Sequence, residues 1–270
     1  MTFKMAPRAK KLATGFATFY FAITALMWLM QDRLLFPAPA EASPMPAAAD
    51  MRHAGIKTPD GETLDGWYIA PASGMPLVIV YHGSVGRGAR HAELGEKFRA
   101  KGFGYLAATF RGYLPSTGKP SQAGLLADGL AIFDWGKQQC HCEIVVIGNS
   151  LGSGVGVHTA MEREAIALIL TSPYSSVADV AAVRYPYLPV RLLIRHPFPS
   201  TEWIKSVTEP ILILHGKLDR IVPFQFGKRL YEAAPKGARF MEYPDLGHEL
   251  MWTLDIPAIT EAFLADVRNS

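Results

Sequence analysis

Seven short apolar runs separated by longer stretches constrain this chain more than any other feature. They fall at residues 64–70, 77–81, 105–110, 144–147, 166–171, 211–215 and 239–243, and they are rich in Val and Ile. Runs that are continuous rather than alternating belong to strands covered on both faces, and residues 89–100, 125–138 and 151–164 between them have helical character. Strands that alternate with helices predict a mainly parallel central sheet flanked by helices, an α/β fold. With 270 residues and a hydrophobic fraction of 49% the chain can fill one sizeable core but not two, so residues 51–270 are expected to form a single domain.

The run at 144–147 leads directly into Gly148-Asn149-Ser150-Leu151-Gly152, and a helical stretch follows. A serine on a sharp strand-to-helix turn is a candidate nucleophile, because small neighbours permit the tight turn and the helix N-terminus favours negative charge beside the hydroxyl. A serine hydroxyl needs a base to accept its proton, and the base needs a group that holds its tautomer. In this topology the acid and then the histidine follow the serine. Asp219 lies just past the run at 211–215, and His248 follows Gly247 in the loop after the last run. Each has a plain alternative: a glycine-rich turn with a surface serine, a turn or capping carboxylate, a loop histidine. It is their order and their common position at strand ends that single them out as catalytic. Asp245 lies only three residues from His248 and is the weaker choice for the acid. An oxyanion needs preorganised N–H donors, for which the backbone of Leu151 and of Ser84, in Tyr81-His82-Gly83-Ser84-Val85-Gly86, are the candidates. His82 reads as a structural residue of that turn. Gly152, Gly154 and Gly156 fit neither a dinucleotide fingerprint nor a Walker loop, and their smallness suits close contact between helix and sheet.

Residues 12–30 contain no charged side chain and are about as long as a membrane-spanning helix must be. Tyr20 and Trp28 suit a bilayer. Lys4, Arg8, Lys10 and Lys11 precede the run while Arg33 alone follows closely, which places residues 1–11 in the cytoplasm and the remainder on the other side, periplasmic in a bacterium. A cleaved leader is the rival reading, with Ala38-Pro39-Ala40 as a small-residue site. Residues 31–50, with Pro37, Pro39, Pro44 and Pro46, read as a semi-extended linker.

Composition excludes other classes of function. There are 27 basic and 24 acidic residues with no basic stripe interleaved with aromatics, which argues against a nucleic-acid partner. Cys140 and Cys142 are the only cysteines; one intervening residue makes a mutual disulfide strained, and two thiols are too few for zinc.

The motifs also carry a resemblance. Gln31-Asp32-Arg33-Leu34-Leu35-Phe36-Pro37, His82-Gly83-Ser84, Arg111-Gly112-Tyr113, Gly148-Asn149-Ser150-Leu151-Gly152, Tyr185-Pro186-Tyr187-Leu188-Pro189, His215-Gly216 with Asp219 and Val222-Pro223, and Gly247-His248 occur in this order over nearly the whole chain. In this the sequence resembles the membrane-anchored branch of the α/β-hydrolase superfamily, whose members are esterases, lipases and protein depalmitoylases. The resemblance implies hydrolysis of an ester or thioester through an acyl-enzyme on Ser150, a small-molecule or lipid-linked acyl substrate, and no metal or organic cofactor. It also implies a small cap at about 173–209, in which Tyr187, Leu188 and Leu192 are candidate pocket residues. Arg184, Arg191 and Arg195 recur there at helical spacing, as either a face toward lipid headgroups or a solvated side. Two departures bear on the pocket: Leu114-Pro115 stands where the family has glycine, and Glu249 follows the histidine where asparagine is common. A serine peptidase with the same triad, or a membrane-tethered scaffold without turnover, remains open at this level.

Overall fold

The computed structural model describes residues 7–38, 41, 50–86 and 88–269. The chain opens with helix α1 (Pro7–Leu35), followed by strands β1 (Arg52–Lys57), β2 (Thr63–Ile69) and β3 (Leu77–Tyr81), helix α2 (Arg90–Ala100), β4 (Gly104–Ala108), α3 (Gln122–Cys140), β5 (Ile144–Asn149), α4 (Leu151–Glu162) and β6 (Ala167–Thr171). Short helices α5 (Val177–Arg184), α6 (Val190–Leu193) and α7 (Ser200–Trp203) fill the interval before β7 (Ile211–Gly216). Helix α8 (Phe224–Ala233), β8 (Arg239–Tyr243), α9 (Leu250–Thr253) and α10 (Ile256–Arg268) complete it.

All eight strands join one sheet in the order β1-β2-β4-β3-β5-β6-β7-β8. Strands β3 to β8 run parallel, whereas β2 is antiparallel to both β1 and β4. The expected mainly parallel sheet is therefore present, with an antiparallel corner whose outer strand, β1, alternates polar and apolar as a half-exposed edge does and was not among the seven expected runs. Successive side chains of a strand point to opposite faces. Val78, Val80, Val145 and Ile147 accordingly pack with Leu94 and Phe98 of α2 and Phe263 of α10. Leu77, Ile79 and Val146 pack on the other side with Leu125 and Ile132 of α3, Val155 of α4 and Leu230 of α8. Both faces are thus sealed, and the loops at the carboxyl ends of the strands are left to form a site.

Helix α1 includes the whole expected span and exceeds it at both ends. Residues 31–35, assigned to the linker by sequence, are helical, because Gln31 and Asp32 find partners in the cap and Phe36 is buried in the core. Most of the Pro/Ala-rich segment, including Pro39, Ala40, Pro44 and Pro46, lies outside the described residues, as does Lys4. Cys140 and Cys142 are joined in a disulfide, against the expectation from their spacing. His141 between them takes a left-handed φ of 49° at the end of α3, a turn that leaves the two Cα atoms 5.1 Å apart, within the ordinary disulfide range.

Candidate active site

Ser150 stands where β5 turns into α4, with φ 50° and ψ −116°, a conformation that persists only where its surroundings enforce it. Its N–H donates to the Thr171 carbonyl at the end of β6 (3.0 Å), and its own carbonyl accepts from the Ser153 N–H (2.9 Å) and Oγ (2.6 Å). Glycine is needed on both sides. A Cβ on Gly148 would come within 2.7 Å of the Gly152 carbonyl oxygen, and one on Gly152 would overlap the Tyr81 and His82 carbonyls at the end of β3.

The structure brings the three residues singled out from the sequence into one hydrogen-bonded line. His248 Nε2 is 2.9 Å from Ser150 Oγ, and Nδ1 is 2.8 Å from Asp219 Oδ2. An ionised carboxylate can only accept, so Nδ1 carries the proton and the Nε2 lone pair faces the serine hydroxyl. Asp219 Oδ1 accepts from the Ile221 and Val222 N–H groups, both at 2.8 Å. Burial opposes ionisation of this carboxyl, but hydrogen bonds from His215, His248 and the Val222 N–H outweigh it and hold the group well below the usual carboxylate range. Asp245 is exposed and is not bonded to His248. The Ser172 hydroxyl donates to the His248 carbonyl at 3.0 Å, tying the histidine loop to the end of β6.

Ser84 lies beside the nucleophile turn: a Cβ on the preceding Gly83 would meet Ser150 Cβ at 3.4 Å. Ser84 and Leu151 both line the cavity that Ser150 faces, and among the described residues neither backbone N–H has an acceptor. That is the state required of donors held ready for an oxyanion. His82 is fully buried; Nδ1 donates to the Gly83 carbonyl (2.7 Å) and Nε2 accepts from the Phe110 N–H (3.0 Å), a structural role as the sequence suggested. Two supporting residues received no role from sequence. The Tyr113 hydroxyl donates to the Ser84 carbonyl at 3.0 Å, and buried His215 packs behind Asp219, its Nε2 donating to the Val222 carbonyl at 2.9 Å. Both belong to motifs already noted, Arg111-Gly112-Tyr113 and His215-Gly216, which were the available signal. Arg111 anchors the first motif through Asp128 of α3 (2.8 Å) and Asp60 (2.6 Å).

The cavity has a volume of about 330 Å³, and its wall is mostly apolar. Helices α5, α6 and α7 lie in the interval read as a cap, and only one of the three candidate pocket residues lines the cavity. Leu188 does so, while Tyr187 and Leu192 are 63% and 87% exposed. For Leu192 the cause is local: in the single turn of α6, Val190 and Leu193 line the cavity and Leu192 falls on the opposite side. Leu114, Pro115 and Glu249, the two departures from the family pattern, are not among the residues that line it. Of the three cap arginines, Arg191 pairs with Asp179, Arg195 pairs with Asp32 and stacks over Trp28, and Arg184 borders the cavity. No grouping of His, Cys, Asp and Glu suited to a metal ion occurs among the described residues.

Comparison with known proteins agrees with this architecture. No protein-family model matches the sequence. An uncharacterised protein of Mycobacterium tuberculosis strain CDC 1551 is 37% identical over 247 residues, covering 88% of this chain and 84% of that one. Lysophosphatidylserine lipase ABHD12 of Rattus norvegicus is 33% identical over 231 residues, which are 73% of this chain and 58% of ABHD12. Among solved structures, the Pyrococcus furiosus esterase Pf2001 superposes with a TM-score of 0.69 at 20% identity, over 85% of this chain and 96% of the esterase. With a sheet of this order, a strained serine at its β5–α4 turn and relatives of this kind, the chain belongs to the α/β-hydrolase superfamily.

Proposed function

We propose that this protein is a membrane-anchored serine hydrolase that cleaves a carboxylic ester or thioester through an acyl-enzyme. The observation that carries the proposal is the single imidazole bonded at once to Ser150 Oγ and Asp219 Oδ2. In the proposed reaction His248 accepts the serine proton as Oγ attacks the acyl carbonyl. The backbone N–H groups of Ser84 and Leu151 receive the oxyanion, and the protonated His248 then gives its proton to the departing alcohol or thiol. Water then attacks the acyl carbon as His248 takes its proton; the bond to Oγ breaks, His248 returns the proton to Ser150 Oγ, and the acid is released. Asp219 stays ionised throughout and stabilises the imidazolium, consistent with its lowered pKa.

The wall of the cavity favours an acyl substrate over a peptide. Arg184 is its one charged residue among those described, and the remainder is largely Leu, Val, Ile, Met and Trp. An ester hydrolase should therefore show higher kcat/KM on acyl esters and thioesters than on the matching anilides and peptides; a preference for the peptides would favour the peptidase reading instead.

Helix α1 is long and apolar enough to cross a membrane, and none of its most apolar stretch is buried. The basic residues before it support an orientation with the N-terminus in the cytoplasm and the hydrolase domain on the opposite side. Under this reading the full chain stays in the membrane pellet after carbonate washing, and protease added to intact spheroplasts degrades the domain. Release by carbonate would exclude the anchor, and full protection from protease would reverse the orientation.

A further inference from the structure

The helix expected to serve as an anchor also borders the cavity that holds Ser150. Thr24, Met27, Trp28, Gln31, Leu34 and Leu35 all line it, and with Tyr20 they recur at intervals of three and four, one face of α1. The opposite face, with Phe19, Leu26 and Leu29, is exposed. Polar groups on the inward face secure the cap. The Tyr20 hydroxyl donates to the Tyr187 carbonyl (2.9 Å), Gln31 Nε2 to the Leu193 carbonyl (3.0 Å), and the Arg195 N–H to Gln31 Oε1 (2.9 Å). Asp32 accepts from Arg195 and His196, each at 3.0 Å. The helix is therefore fastened to the cap at several points along its length and not merely joined to the domain by a linker.

Depth along the helix decides what this contact means. Tyr20 lies about 15 Å along the axis from Met30, at 1.5 Å per residue. That is about half the hydrocarbon thickness of a bilayer. A cap bonded to both Tyr20 and Gln31 thus runs beside the half of the span nearest the domain. It presents Val183, Tyr187 and Leu192 outward, exposed side chains of the kind that suit contact with hydrocarbon. The wall between them and Ser150 is apolar, and one side of it is the membrane helix itself.

We propose that α1 is a wall of the acyl-binding site, and that the substrate is a lipid ester whose acyl chain passes from the adjoining leaflet along Thr24, Met27 and Leu35 to Ser150. This inference rests on the serine-hydrolase reading and goes beyond it by making the anchor part of substrate recognition. Each methylene held in such a pocket raises kcat/KM about fourfold, so a side chain that fills the wall discriminates against long chains selectively.

The test uses the full-length protein in phosphatidylcholine vesicles, treated with a long-chain alkyl fluorophosphonate carrying a diazirine near the end of the chain. After attachment at Ser150 and photolysis, the probe should cross-link to the tryptic peptide spanning residues 12–33. Cross-links confined to other peptides would overturn the proposal. In parallel, Met27→Trp should lower the ratio of long-chain to acetyl ester kcat/KM on the order of tenfold or more, the loss of two or so methylenes, while a short fluorophosphonate still labels Ser150. Leu26→Trp, on the exposed face, should leave the ratio at its wild-type value. Equal ratios in the two variants, with labelling retained, would overturn the wall while leaving the hydrolase reading intact. Failure of the wild type to label at all would instead refute the hydrolase reading, and this inference with it.

Discussion

Replacing Asp219 by asparagine separates electrostatics from geometry at this site, because the side chain keeps its shape. In the wild type Oδ1 accepts two backbone N–H groups at 2.8 Å and Oδ2 accepts from His248 at 2.8 Å. Asparagine has one acceptor oxygen and one NH2 donor. If the oxygen keeps the Ile221 and Val222 N–H bonds, each worth about 1 kcal/mol, the NH2 faces His248 Nδ1 and donates to it. The imidazole proton then moves to Nε2 and points at Ser150 Oγ, so the lone pair that should accept the serine proton is gone. Turning the amide the other way restores the tautomer but sets the NH2 against two N–H donors, which costs both bonds. The first arrangement prevails, and kcat on a short-chain ester should fall about ten-thousand-fold, some 5 kcal/mol in activation free energy, as in other triads that lose this carboxylate. Fluorophosphonate labelling should slow in parallel. Asp245→Asn, at an exposed position, should stay near wild type. A value within tenfold of wild type for Asp219→Asn, or a large loss for Asp245→Asn, would refute the reasoning.

Three further perturbations follow from the same contacts. Tyr113→Phe removes the hydroxyl that holds the Ser84 carbonyl at 3.0 Å and should lower kcat about fivefold, the equivalent of one neutral hydrogen bond, with little change in KM; an effect on KM alone would contradict a role in holding this loop. Gly152→Ala forces a Cβ onto the Tyr81 and His82 carbonyls and should destabilise the fold by at least 1–3 kcal/mol, roughly the cost of overpacking, seen as a lower urea midpoint; an unchanged midpoint would show that the elbow has slack. Because the folded state holds the Asp219 pKa below its unfolded value, its contribution to stability is complete above about pH 5 and is lost as pH falls through the folded value. The stability gap between wild type and Asp219→Asn should therefore shrink on acidification, and a gap that widens in acid would reverse the sign of that coupling.

The fold was legible where a strand is covered on both faces. The run at 77–81 is β3 without adjustment, and that at 144–147 extends by only two residues into β5. Strand β1 was not, because an edge strand that alternates polar and apolar over six residues resembles a surface loop. Helix α10 offered a capping signal that was not used: Asp255 accepts from the Ala258 N–H, with proline in the first turn. At the site, order along the chain picked out Ser150, Asp219 and His248, which the structure brings into one hydrogen-bonded line because strand ends converge in this topology. The pocket was not legible. Which side of a one-turn helix faces inward depends on how it docks, so Leu192 of α6 falls outside the cavity wall; of the two candidates before that helix, Leu188 lines the wall and Tyr187 is exposed. Nor did the uncharged run at 12–30 reveal that Thr24 and Met27 face a cavity. Tyr20, Thr24 and Gln31 share one face of the helix, and polar groups aligned within an apolar run were the signal.

The central claim is that Ser150 is the nucleophile. Purified wild-type protein and Ser150→Ala, each treated with a fluorophosphonate and analysed by intact mass, test it directly. Wild type should gain one phosphonyl adduct, located at Ser150 by peptide mapping, and lose esterase activity in proportion. Ser150→Ala should gain none and should hydrolyse no ester above background. An adduct or residual turnover in Ser150→Ala would contradict the mechanism at its first step.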